Sequence, residues 1–297
     1  MSESRSYKKS TLSYEDNIVA LLRFCLAEEQ LFVLDKSKRF ANQIRNSLLN
    51  GWEDNWIRTD GEPDYKADPT PDYFNDKEQL MMEVFRIDHY GRIDETGKFH
   101  NPSNENISEL LKELNQSGFE EILKDNVIIS AIKDDDGSHN YGYEYYLSSF
   151  TQTFNKHKSK IRNHYQKNHP GYRLIFLIMD ESAGYWTADK SDPNRPLSSI
   201  PLDELKFRIH DPLEDEAFNS QMVGSDIDMI IWFAPYKCIF TNIGTFSFPK
   251  VRFYNPLYKF PTKTYAPECM RCMESKDSPM KSPSIVWKDG KPYIGYI

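Results

Sequence analysis

The chain has 297 residues, and its 37 Lys and Arg against 45 Asp and Glu give a net charge of −8 at pH 7. This charge excludes a uniformly basic protein that coats nucleic acid, although a local basic face is compatible with it. Hydrophobic residues make up 39% of the chain and aromatic residues 14%, which excludes an intrinsically disordered protein and predicts a buried core. Neither an apolar run of the ~20 residues that span a bilayer nor a secretory signal is found, so we expect a cytoplasmic protein without membrane contacts.

Two helices are predicted near the N-terminus, before a long stretch of loop. Apolar residues recur at helical spacing over 15–34, and a second helix is predicted over 36–49, ending near Gly51. Residues 51–78 are rich in Pro, Asp and Gly, which is typical of loops and turns. The apolar segment 80–88 then predicts the first long strand, and it carries an acidic residue near its centre.

The rest of the chain alternates predicted strands with one long helix. The predicted strands are 126–133, 172–179, 226–234 and 236–241, and the predicted helix is 141–168. Helices that flank buried strands predict a mixed α/β domain with a central sheet of about five strands. We place this single domain over residues 1–249 and expect residues 250–297 to form an extended tail packed on the surface.

Two carboxylates are the strongest candidates for chemistry. Asp72 follows Pro71 in a predicted turn, and Glu83 lies inside the predicted strand 80–88. Since side chains alternate along a strand, Glu83 shares a face with apolar neighbours, among which a carboxylate must find a partner. A turn carboxylate and a strand carboxylate can converge on one Mg²⁺ or Mn²⁺ ion, which organises water and neutralises charge in phosphodiester hydrolysis. The alternative is structural, with Asp72 capping the turn and Glu83 in a buried ion pair.

The pair Pro71-Asp72 followed by Glu83 resembles the first part of the signature of the PD-(D/E)XK nuclease superfamily, which has the restriction-endonuclease-like fold. The order of predicted elements is also similar over residues 15–180: an N-terminal helix, the Pro-Asp turn, the Glu-bearing strand, a helix and a buried strand. This resemblance implies a metal-dependent nuclease in which Asp72 and Glu83 bind Mg²⁺ or Mn²⁺.

The same resemblance implies a catalytic lysine two residues after the strand acid, where it helps to orient or activate water. This chain has Phe85 at that position. Lys133, at the end of the second predicted strand, can supply the ammonium group from a neighbouring strand, so the predicted catalytic set is Asp72, Glu83 and Lys133.

A basic segment follows the predicted catalytic residues. Residues 146–178 contain six Lys and Arg but no Asp or Glu, in a chain that is acidic overall. A basic helix can hold the phosphates of nucleic acid, and the predicted phosphate-binding residues are Lys156, Lys158, Lys160 and Arg162. The alternative is a solvated helix face without a nucleic-acid partner.

The cysteines allow a weaker, alternative metal site. Cys269 and Cys272 form one C-x-x-C pair, and Cys238 is a candidate third zinc ligand, but a structural zinc site needs four ligands. Ordinary reduced thiols are the simpler interpretation. Taken together, the sequence predicts a metal-dependent nuclease-like protein, and the alternative is a non-catalytic interaction module, including a degraded form of the nuclease fold.

Overall fold

The computed structural model describes residues 14–28, 30–59, 70–93, 96, 99–100, 128–129, 140–182, 184–189, 206–235, 238–241, 244–247, 249–267, 270–272, 283–288 and 291–296.

Helices account for much of the first third of the chain and for the segment between the long strands. The α-helices are α1 (Tyr14–Glu28), α2 (Lys38–Asn50), α3 (Trp52–Asn55), α4 (Tyr143–Lys158), α5 (Gln166–Asn168) and α6 (Glu216–Met222). A π-helical turn over Ile161–Tyr165 joins α4 to α5.

Seven strands form the central sheet. They are β1 (Phe32–Val33), β2 (Ile57–Arg58), β3 (Tyr73–Asn75), β4 (Leu80–Ile87), β9 (Arg173–Asp180), β12 (Met229–Phe233) and β15 (Val251–Tyr254). The shorter strands outside this sheet are β5 (Tyr90–Ile93), β6 (Phe99–His100), β7 (Ile128–Ile129), β8 (Asn140–Tyr141), β10 (Tyr185–Asp189), β11 (Lys206–Ile209), β13 (Cys238–Thr241), β14 (Gly244–Ser247), β16 (Met270–Cys272), β17 (Pro283–Lys288) and β18 (Lys291–Tyr296).

The central sheet is mixed, with the order β1-β15-β12-β9-β4-β3-β2. Its middle is parallel: β4 pairs with β9 along all eight residues of each strand, and β12 continues in the same direction beyond β9. These three strands are buried almost completely, which is expected of parallel strands covered on both faces. On one side β3 and β2 run antiparallel in succession, and on the other side β15 runs antiparallel to β12.

Helices cover both faces of this sheet and create two apolar cores. The first core joins α1 and α2 to the sheet face that carries Leu80, Met82 and Val84. The second core joins α4 and α6 to the opposite face, which carries Met81 and Phe85. The alternation of β4 side chains between the two cores therefore directs Glu83 toward α4.

The predicted mixed α/β class with flanking helices is confirmed, but the sheet has seven strands rather than about five. Three of the predicted strands are in this sheet, and four of its strands, β1, β2, β3 and β15, were not predicted. Of the predicted strand 126–133 the structure describes Ile128–Ile129, which pairs with β17 in a separate three-stranded sheet. The expectation of a surface tail over 250–297 is wrong for Val251–Tyr254, which is buried between β12 and β1. The predicted strand 236–241 forms a separate hairpin instead, with Cys238–Thr241 paired to Gly244–Ser247.

None of the helices in the described part of the chain combines the length and the apolar character that a membrane span requires.

Candidate active site

Asp72, the residue before β3, is fixed by hydrogen bonds from two backbone amides. Its carbonyl oxygen accepts a hydrogen bond from the Thr59 amide at 3.0 Å, and its carboxylate oxygen Oδ2 accepts one from the Val84 amide at 2.6 Å. The neighbouring carbonyl of Pro71 is taken by the Thr59 hydroxyl. The Val84 amide on β4 therefore bonds a side chain rather than the β3 backbone, and this bond holds the Asp72 carboxylate against the Glu83-Val84 peptide.

Asp72 precedes β3 directly, and the register of β3 and β4 makes it a backbone neighbour of Glu83. Tyr73 on β3 is paired with Met82 on β4, and one further step of this antiparallel register sets Asp72 opposite Glu83. Directly opposed residues of an antiparallel pair have Cβ atoms roughly 4.5–5.5 Å apart and point to the same face. The two carboxylates have different partners: Asp72 Oδ2 accepts from the Val84 amide on β4, and Glu83 Oε1 pairs with His157 on α4.

The Glu83 side chain is buried, with 3% of its surface exposed, and it is only partly satisfied. Its oxygen Oε1 pairs with Nδ1 of His157, and the ammonium of Lys160 lies 3.7 Å from the same oxygen. The other oxygen, Oε2, is buried and has no hydrogen-bond partner among the described residues. Because a buried carboxylate oxygen without a partner is costly, Oε2 lacks a partner that its burial calls for.

The imidazole of His157 is held in place by packing as well as by Glu83. His157 follows Phe150 and Phe154 on the inward face of α4, at the three- and four-residue spacing of one helix stripe. Its ring stacks on Phe85, with the centroids 4.7 Å apart and the planes within 5°. Phe85, which occupies the position of the signature lysine, therefore supports the imidazole that contacts Glu83.

A lysine is present at this site, but it comes from the helix rather than from a strand. Lys160 lies between the end of α4 and the π-helical turn, and its side chain is 23% exposed. It is one of the four residues predicted to bind phosphate. Lys133, the predicted source of the ammonium group, lies outside the described residues. Arg86, which neighbours the signature position, points away and pairs with Glu181 at 3.1 Å.

The other predicted phosphate-binding residues differ in their contacts. Lys156 is exposed, whereas the ammonium of Lys158 donates to the Gln221 carbonyl at 3.1 Å and lies over the Phe154 ring. Arg162 forms an exposed ion pair with Asp226, with 2.6 Å between Nε and Oδ2.

Asp72 and Glu83 offer carboxylate oxygens, which are the ligand type that a hard divalent cation takes, commonly one or two from the protein together with water. Groups of three or more His, Cys, Asp or Glu side chains arranged to hold a metal are not found within the described ranges. Of the alternative zinc ligands, Cys269 lies outside the described residues. Cys238 and Cys272 belong to different small sheets, those of β13 and β16.

His157 contacts Glu83 at this site and is not among the site residues predicted from the sequence. The spacing along α4 indicates its position, because the four-residue step from Phe150 to Phe154 and the three-residue step to His157 place all three on the inward face of the helix. A histidine on such a stripe faces the sheet, and Glu83 is the acidic residue of the central strand beneath it.

Comparison with protein-family models, with curated proteins and with solved structures finds no match for this chain.

Proposed function

We propose that the protein is a metal-dependent nuclease of the restriction-endonuclease-like type. The observation that carries this proposal is the surroundings of Glu83, which has a buried, unpartnered carboxylate oxygen and the Lys160 ammonium 3.7 Å from its other oxygen. Asp72, whose carboxylate bonds the Val84 amide, is its neighbour in the sheet. Carboxylates that hold a divalent cation and an ammonium group that contacts the phosphate are the groups that the proposed metal-assisted hydrolysis would use.

The order of elements supports the same proposal. The chain runs from α1 through the Pro71-Asp72 turn to β4, then through α4 to β9, and β9 lies beside β4 in the sheet. This order is similar to that of the nuclease superfamily that the Pro-Asp and Glu pattern resembles. Lys160 is the substitute that we favour for the lysine replaced by Phe85, and Lys133 remains a second candidate.

In the proposed reaction Asp72 and Glu83 hold the divalent cation through their oxygens. A divalent cation held there would activate a water molecule and neutralise charge on the phosphate. Lys160 orients the attacking water or the scissile phosphate, as the ammonium group does in the superfamily. His157 bonds Oε1 and so positions Glu83, which would leave Oε2 for the cation. The exposed Lys156 would contact a flanking phosphate.

A non-catalytic interaction module is the second candidate, and one observation favours it. The Glu83 carboxylate is almost fully buried and already paired with His157, as in a structural ion pair. In this case the nuclease fold would be retained while the basic helix binds a partner.

The test is a cleavage assay on single- and double-stranded DNA and RNA with Mg²⁺, with Mn²⁺ or with EDTA. We expect metal-dependent cleavage that falls by on the order of 100-fold or more in Glu83→Gln and in Asp72→Asn, and by about 10- to 100-fold in Lys160→Ala. Lys167→Ala, an exposed lysine of the same basic segment, is the matched control and should keep its activity.

Thermal unfolding of each variant distinguishes the two candidates. Glu83→Gln should melt near the temperature of the parent protein if Glu83 serves catalysis. Absence of cleavage on every substrate, or full activity in Glu83→Gln, would exclude the nuclease. A variant that fails to fold would favour the structural role of Glu83.

A further inference from the structure

An open hollow lies on the other side of the central sheet from Glu83. It has a volume of about 560 Å³ and is formed between the outer surface of α2 and the turn that joins β3 to β4. Pockets that bind small ligands typically have volumes of about 300–1,000 Å³. The hollow is therefore large enough for one small molecule, and the proposed nuclease site does not use it.

Side-chain amides dominate the lining of this hollow. Asn42, Asn46 and Asn50 follow one another at four-residue intervals on α2, so their side chains form one stripe with a rise of ~6 Å per step. None of the three side chains forms a hydrogen bond within the part of the chain that the structure describes. Each amide thus offers both a donor and an acceptor to a ligand.

Two other amides of the hollow are held by the protein and form its wall. Gln43 donates to Glu78 at 2.7 Å and accepts from Arg173 at 2.7 Å. Asn55 donates to the Gly51 carbonyl at 3.1 Å. These bonds fix the edges of the hollow. Glu78 is the one carboxylate among the described lining residues, and its single negative charge stands against the two positive charges of Arg39 and Lys77.

The asparagine stripe runs against the helical preference of the segment. Asn is a poor helix former, and exposed positions in the interior of a helix are better filled by Ala, Lys, Glu or Gln. Asn46 and Asn50 are exposed and Asn42 is half-buried, so packing does not explain them. Residues with low helix propensity that make no packing contact are expected where the side chains bind a ligand.

The charges and the shape of the lining select the class of ligand. Arg39 and Lys77 line the hollow, are exposed and have no ionic partner among the described residues, so the site favours an anion. The lining residues described here include no aromatic side chain on which a flat ring could stack. Side-chain carboxamides can hydrogen-bond to the hydroxyl groups of a ligand, and the two cationic side chains attract its phosphate group. We propose that this hollow binds a phosphorylated sugar, either free or as the ribose phosphate of a nucleotide.

Titration calorimetry of the full chain tests this proposal with ribose 5-phosphate, AMP, ribose and inorganic phosphate as ligands. We expect ribose 5-phosphate or AMP to bind with a Kd below about 1 mM, and ribose and phosphate alone to bind at least tenfold more weakly. Tighter binding of AMP than of ribose 5-phosphate identifies a nucleotide as the source of the sugar phosphate, and the reverse order identifies a free sugar phosphate.

Variants of the lining decide whether binding occurs in this hollow. The double variant Asn42→Ala/Asn46→Ala and the variant Arg39→Ala should each weaken binding at least tenfold without lowering the melting temperature. Lys38→Ala on the same helix and Asn163→Ala on the opposite face of the sheet are exposed outside the hollow and should bind as the parent does. The proposal is overturned if neither sugar phosphate saturates the protein by about 10 mM. It is also overturned if phosphate alone binds equally well, or if the double variant keeps its affinity.

Discussion

Glu83 illustrates what one buried carboxylate requires of its surroundings. A buried polar atom without a hydrogen bond costs on the order of 1–3 kcal/mol, and more when it carries charge. His157 and Lys160 offset part of this cost at Oε1, and Oε2 is not offset by any described residue. The cation of the proposed nuclease, if bound at Oε2, would remove the remaining cost.

His169 carries a pH dependence that follows from its burial. The imidazole is half-buried beside the rings of Phe74 and Tyr172, with centroids 4.9 and 5.2 Å away. Burial lowers the pKa of His169 below its ordinary value of 6.5, and the nearby Asp76 opposes this shift only in part. The folded state therefore binds fewer protons than the unfolded state, so the contribution of His169 to stability is present above pH 6.5 and is lost as the pH falls through the interval below 6.5.

The variant His169→Phe keeps an aromatic ring at this position and removes the titration. Urea unfolding of the parent and the variant at about pH 7.5 and pH 5 should show a smaller loss of stability at low pH for the variant. An equal loss in both proteins would show that other groups cause the acid dependence.

At the level of single residues, the sequence predicts that the Glu83 carboxylate needs a partner inside the protein, but not that His157 and Lys160 provide it. Alternation along the strand places Glu83 among apolar side chains and puts Arg86 on the other face, and the structure agrees. His157 and Lys160 are 74 and 77 positions away along the chain, and nothing in the sequence specifies how far α4 is rotated about its axis. That rotation is set by the packing of Phe150 and Phe154, which is a tertiary effect.

At the scale of elements, one buried carboxylate fastens α4 to the sheet. Asp180, the last residue of β9, accepts hydrogen bonds from the Tyr146 hydroxyl at 2.6 Å and from the Trp232 indole at 3.0 Å. Ser182 bonds its other oxygen through both the amide and the hydroxyl. Helix α4 and strands β9 and β12 therefore meet at one side chain, and their spacing is fixed there.

Asp180→Ala should destabilise the protein by roughly 3 to 5 kcal/mol, because it leaves buried donors of Tyr146 and Trp232 without an acceptor. Asp226→Ala is a matched control, since Asp226 forms an exposed pair with Arg162. Surface ion pairs contribute about 0–1 kcal/mol, so the control should change stability by no more than this. Urea unfolding measures both, and similar values for the two variants would contradict the anchoring role of Asp180.

Long elements were predicted better than short ones, for a physical reason. Strands β4, β9 and β12 are five to eight residues long and mostly apolar, and each lies within or close to its predicted range. Strands β1, β2 and β3 have only two or three residues, which is too short for any periodicity. β15 reads Val-Arg-Phe-Tyr, and its arginine suggests exposure although Arg252 is buried against Asp211 at 2.5 Å.

At the scale of the whole molecule, the sheet is completed by parts of the chain that are far apart in sequence. β15 lies between β12 and β1, so the segment after residue 249 links the middle of the sheet to the strand that follows α1. Phe253 is fully buried in the core beneath α1 and α2. This arrangement makes Val251–Tyr254 a structural part of the sheet.

Phe253→Ala should cost about 3–5 kcal/mol, the range for removing a buried aromatic side chain from a packed core. Leu257→Ala, three residues after β15, is the control because Leu257 is 71% exposed, and such surface changes stay within about 0.5 kcal/mol. Truncation after residue 249 should go further and abolish cooperative unfolding, since it exposes the edge of β12 and removes the strand to which β1 is paired. Denaturant unfolding followed by circular dichroism measures all three. A truncated chain that still unfolds cooperatively with the stability of the parent would show that the sheet closes without β15.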